Sequence, residues 1–105
     1  MIDWTRIAQL EDDLGADELP GLVSLFLAEV GEAMDSCQPE REPTEEALHF
    51  LKGCALTLGF RDLARLASDG EGILKQCGGQ SVDKSAIVGA YTLEREELLT
   101  RFPQE

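Results

Sequence analysis

No stretch of this chain alternates apolar and polar residues with period two, whereas apolar residues recur at three- and four-residue steps along most of its length. That spacing is the mark of helices with one buried face, and it leaves no candidate strand. Glycine and proline divide the pattern into helical segments. Asp3 can cap a short first helix running to about Leu14, with Ile7, Leu10 and Leu14 on one side and Gly15 as its C-terminal cap. Asp17 can start a second, long helix, with Pro20 tolerated in its first turn, where backbone N–H groups lack partners inside the helix. Leu19, Leu22, Val23, Phe26, Val30, Ala33 and Met34 form its apolar face. Gln38 to Pro43 reads as a loop.

Thr44 or a close neighbour caps a third helix, and Glu45 and Glu46 suit its positive end. It runs to about Leu58 and stops at Gly59; a fourth goes from near Arg61 toward Cys77 and ends at Gly78–Gly79. A fifth spans about Val82 to Phe102. Short connections between amphipathic helices favour an all-α fold, an antiparallel four-helix bundle with a short extra N-terminal helix. With 105 residues and no internal linker, the chain reads as one domain over 1–105. It has enough amphipathic helices to close its own core, so a monomer is expected.

Charge and cysteine content narrow the function. A formal net charge of −12 argues against a nucleic-acid backbone or an anionic membrane surface as partner. No apolar run reaches the length of a membrane span, and Met1 to Leu10 lacks the apolar stretch of a signal peptide. Cys37, Cys54 and Cys77 are widely spaced and odd in number, which points to unpaired thiols, largely buried, in a reducing cytoplasm. One histidine and three scattered cysteines make a poor zinc set, so no metal site of its own is expected.

The third helix carries the chemistry. At about 100° per residue, with His49 as zero, Ala47, Leu51, Cys54, Ala55 and Leu58 fall within roughly 140–240°, the core stripe. Glu45, Glu46, Lys52, Gly53 and Leu56 fall within about 60° of His49, which therefore points away from the core. Gly53, one turn on, weakens an exposed helix by about 1 kcal/mol relative to alanine and clears space beside the imidazole. Lys52 can place an ammonium beside a group attached to the ring; read simply as a surface charge, it pairs with Glu45 or Asp62. An exposed imidazole, a cation and a missing side chain together describe a site for a transferable anion. Leu56 is either an apolar docking contact, alongside Glu45 and Glu46, or an ordinary exposed leucine.

The run His49-Phe50-Leu51-Lys52-Gly53-Cys54-Ala55-Leu56-Thr57-Leu58-Gly59 resembles the signature of histidine phosphotransfer (HPt) domains, H-x-L-K-G, then two small residues, then an apolar–Gly pair. Leu63-Ala64-Arg65-Leu66-Ala67, the opening Ile2-Asp3-Trp4 and Leu25-Phe26-Leu27 also resemble the family, so the likeness covers nearly the whole chain. Cys54 replaces the usual Ser or Ala. Gly70 and Gly72 stand where relatives carry better helix formers, which weakens the case for a straight fourth helix. The resemblance implies a two-component phosphorelay, with His49 as phosphoacceptor, Lys52 stabilising charge and Gly53 giving access. It implies receiver domains as partners and Mg²⁺ on the receiver rather than a cofactor on this chain. No P-loop is present and an ATP-binding domain has no room, so the chain is expected to be a phosphocarrier and not an enzyme. The competing readings are a helical adaptor that binds a receiver or other signalling partner without being phosphorylated, and a phosphohistidine-dependent phosphatase. The second has no further histidine to work with. The kinase, the regulator, the signal and the direction of phosphoryl flow are not written in the sequence.

Overall fold

The structure, a computed structural model, describes residues 1–34, 43–77 and 82–103, the side chain of Cys77 excepted. It is built from α1 (Trp4–Leu14), α2 (Leu19–Ala33), α3 (Glu45–Leu58), α4 (Arg61–Cys77) and α5 (Lys84–Arg101), with no strand among the described residues. This is the expected all-helical bundle with an extra N-terminal helix. The expected loop from Gln38 to Pro43, apart from Pro43, and the stop at Gly78–Gly79 lie outside the described residues.

The caps fall largely where local chemistry puts them. The Asp3 carboxylate accepts from the N–H groups of Thr5 and Arg6. Thr44 accepts from Ala47 N–H, and Asp83 from Ala86 N–H. α3 ends at Gly59 with φ 75°, a left-handed turn that favours glycine. Glycine is also forced there by contact, because a Cβ would lie 2.7 Å from the Asp3 carbonyl oxygen. That approach seats the N-terminal segment on the α3–α4 turn: Asp3 N–H donates to Gly59 O at 2.7 Å, and Ile2 pairs with Phe60.

Three local expectations need correction. α2 begins at Leu19, not Asp17, and no side chain caps it. Glu18 and Leu19 N–H both donate to Gly15 O, so a backbone turn takes the place of the Asp17 cap. Leu14, expected on the buried side of α1, is 43 % exposed, while Ile7 and Leu10 on that side are buried. On α3 the buried stripe is Leu48, Leu51, Cys54, Ala55 and Leu58, with Ala47 only half-buried.

Gly70 explains that last shift. It is buried on α4, and a Cβ there would meet Leu48 Cδ1 at 3.0 Å and Val82 Cγ1 at 3.4 Å. Glycine lets α4 settle onto α3 over Leu48, which is completely buried. α4 is unbroken from Arg61 to Cys77 despite Gly70 and Gly72. The close packing at Gly70 offsets the intrinsic helix penalty of about 1 kcal/mol for a glycine.

The core draws on all five helices: Ile7 and Leu10; Leu19, Val23, Leu27 and Val30; Leu48, Leu51 and Leu58; Leu63 and Ala67; and Ile87 and Leu98. Leu27, absent from the expected face of α2, belongs to it, while Leu22, Phe26 and Ala33 flank it half-buried. Cys54 is a free, buried thiol. Cys37 and the Cys77 side chain lie outside the described part.

One buried charge ties the bundle's end together. Glu94 of α5 is 1 % exposed, yet its carboxylate accepts from Leu63 N–H at 2.8 Å and Asp62 N–H at 3.1 Å. Those are free N–H groups of the first turn of α4, so a side chain from another helix does the work of an N-terminal cap. The Met1 ammonium adds a contact to Glu94 at 3.1 Å and another to Asp62.

Candidate functional site

α3 places His49 in mid-helix on the side away from its buried stripe, and the ring is 73 % exposed. Gly53, one turn toward the C-terminus, is exposed, and a Cβ built on it meets nothing within 4 Å. Leu56, a further turn along, is 61 % exposed. Glu45 and Glu46 are exposed in the first turn of the same helix. The face expected from the helical wheel therefore exists as an open, convex surface around the imidazole.

Lys52 departs from that picture. Its side chain is only 29 % exposed and turns toward α4, where Nζ lies 3.0 Å from Glu71 Oε1. Neither expected partner, Glu45 nor Asp62, takes it. In an antiparallel pair that turns at Gly59–Phe60, residues equally far from the turn face one another. Asp62 is thus level with Thr57, a turn and more from Lys52, and its carboxylate is engaged by the Met1 ammonium instead.

Glu71 also reaches the histidine. Its Oε2 lies 3.4 Å from His49 Nδ1, at the long end of a hydrogen bond. The carboxylate is 12 % exposed and so bridges Lys52 and His49 from the neighbouring helix. The Lys52 ammonium, assisted by the His49 ring, holds the Glu71 carboxyl below the usual carboxylate range, against the opposing effect of burial. An ionised carboxylate can only accept, so in this contact Nδ1 carries the hydrogen. In the neutral ring the lone pair is then on Nε2.

Reading along the helices did not single out Glu71. One signal could have found it: His49 and Glu71 are equally distant in sequence from Phe60, on opposite arms of the α3–α4 hairpin. Gly70 beside it is the residue that lets the two arms come close. Among the described residues no three His, Cys, Asp or Glu side chains come together as a metal-ligand set. No helix there is long and apolar enough to cross a membrane.

A helical bundle that presents one imidazole on an open helix face, with a cation and a carboxylate beside it, has the layout of a protein-docked carrier rather than an enclosed active site. The sequence model of the Hpt domain matches residues 5–104, and the chain belongs to that family. No curated protein and no solved structure matches the chain. Hpt domains are phosphocarrier modules of two-component signalling systems, not catalytic domains, and they work with receiver domains.

Proposed function

We propose that His49 is the phosphoacceptor of this Hpt domain, taking a phosphoryl group from the aspartyl phosphate of one receiver and passing it to the aspartate of another. The observation that carries this reading is the exposed His49 ring with open space above Gly53, one turn away. A receiver has to bring its aspartate within bonding reach of the imidazole, and any large side chain at position 53 would stand in the approach. The Nδ1–H···Glu71 contact leaves the Nε2 lone pair as the nucleophile. Phosphoryl transfer depends mainly on positioning and charge stabilisation, and Lys52 supplies a positive charge next to the ring. Leu56, Glu45 and Glu46 form the rim on which a receiver docks. Mg²⁺ belongs to the receiver in this scheme, and the chain works as a monomeric, single-domain, cytoplasmic carrier without kinase activity.

The test is incubation with a panel of phosphorylated receiver domains, followed by assay for label that is acid-labile and alkali-stable. Wild type is expected to take up label and His49→Gln none, while His49→Gln stays within about 1 kcal/mol of wild-type stability, as befits a surface change. Lys52→Ala is expected to slow transfer without abolishing it. Label on the His49→Gln protein would refute the acceptor assignment.

A further inference from the structure

The last turn of α5 comes against α1 without closing on it. Trp4, Ala8 and Glu11 follow one another at steps of four and three residues, so they share one face of α1. That face, Ile7 beside it and the Arg101 side chain of α5 bound a surface cavity of about 150 Å³. Ile7 is buried, whereas the Trp4 indole is 39 % exposed. The space depends on the small side chain of Ala8, which stands one turn from Trp4 and leaves the indole without a neighbour of any size on that side. We propose that this cavity between α1 and α5 is a binding site for a small aromatic carboxamide.

The lining selects the ligand. Trp4 and Ile7 supply apolar walls, and a cavity of this volume takes one benzene-sized ring. Two opposite charges stand beside those walls. Arg101 Nη2 lies 3.6 Å from Glu11 Oε2, an ion pair too long to be a hydrogen bond. The Arg101 guanidinium also sits over the Phe102 ring, 5.5 Å from its centroid, a cation–π contact that steadies it. A carboxylate can only accept and a guanidinium can only donate. The site thus offers an acceptor and a donor side by side. A primary amide matches both, its N–H donating to Glu11 and its carbonyl oxygen accepting from Arg101. A carboxylate on the same ring would satisfy Arg101 but meet Glu11 and a chain of net charge −12. An ammonium would satisfy Glu11 but face Arg101.

None of the walls comes from α3 or α4, and no residue is shared with the His49 face. The inference therefore stands whether or not His49 accepts a phosphoryl group. Trp4 is the single tryptophan of the chain, so its indole N–H reports on this cavity alone.

The experiment titrates the full chain with benzamide, benzoate and benzylamine and follows the indole N–H signal by ¹H–¹⁵N NMR. Benzamide is expected to shift it saturably, with half-saturation on the order of 1 mM, the range open to so small a ligand. Benzoate and benzylamine are expected to bind about tenfold more weakly, since each leaves one charged group without a partner. Ala8→Leu, which puts a branched side chain into the space, should abolish saturation. Glu11→Gln should narrow the gap between benzoate and benzamide, because the repelling carboxylate is gone. Far-ultraviolet circular dichroism confirms that both variants are folded, and Glu11→Gln decides the matter if Ala8→Leu is not. A shift that never saturates in wild type, equal saturation in folded Ala8→Leu, or a preference for benzoate or benzylamine over benzamide would overturn the site. So would a Glu11→Gln protein that discriminates between the ligands just as wild type does.

Discussion

Glu94→Gln isolates the buried carboxylate that caps α4 from another helix. In wild type Oε1 accepts from Leu63 N–H, while Oε2 accepts from Asp62 N–H and the Met1 ammonium. Glutamine keeps the shape but offers one acceptor oxygen and an NH₂ group that can only donate. Whichever way the amide is turned, its NH₂ faces a backbone N–H, and one donor of the first turn of α4 is left without its partner. An unsatisfied donor at a site that is 1 % exposed costs about 1–3 kcal/mol. Loss of the negative charge at the helix N-terminus adds about 0.5–1 kcal/mol. The expected destabilisation is therefore about 2–4 kcal/mol, a fall in Tm on the order of 10 °C for a chain of this size. Urea denaturation followed by circular dichroism at 222 nm, with thermal melts in parallel, measures it directly. Phosphoryl acceptance by the protein that remains folded should be unchanged, since Asp62 and Glu71 are separated by about 13 Å along α4. A variant within about 0.5 kcal/mol of wild type would show that the carboxylate is not the cap.

The two helix glycines Gly53 and Gly70 should respond oppositely to alanine. Gly53→Ala, entering open space, is expected to stabilise by up to about 1 kcal/mol, whereas Gly70→Ala, pressed at 3.0 Å against the fully buried Leu48, is expected to destabilise by about 1 kcal/mol despite better helix propensity. Equal effects in urea denaturation would refute the packing argument, and a Gly53→Gln variant that accepts label as fast as wild type would refute the access argument. Acid should loosen the fold through two carboxylates: Glu71, held below its usual range chiefly by Lys52, and Asp62, held down chiefly by the Met1 ammonium. A depressed folded-state pKa means stability that is present above the unfolded value and is lost as pH falls through the folded one. The urea midpoint should thus decline from about pH 4.5 downward. Glu71→Gln and Asp62→Asn should each flatten that decline, and an unchanged slope in both would count against the assignment.

What the sequence determined about this protein is whatever depends on neighbours within a turn or two. Asp3, Thr44 and Gly59 mark helix ends through contacts with their own helix, so the ends of α1 and α3 could be read directly. His49 could be placed on the outer face with Gly53 above it because both follow from the rotation per residue along one helix. The tertiary structure decided what lies across helices. Glu71 and Glu94 look locally like any mid-helix surface glutamates, and only the pairing of α3 with α4 and of α4 with α5 makes one a partner of His49 and Lys52 and the other a buried cap. Lys52 showed its charge in the sequence but not its partner: the chain offered Glu45 and Asp62, and only the packing of α4 against α3 brings up Glu71 instead. Gly70 carries the same lesson in reverse. Local propensity marks it as a weak point, and the fold uses the missing side chain to bring α4 against Leu48 and set Glu71 beside the imidazole, since close packing is a property of two surfaces and neither is visible in one helix alone.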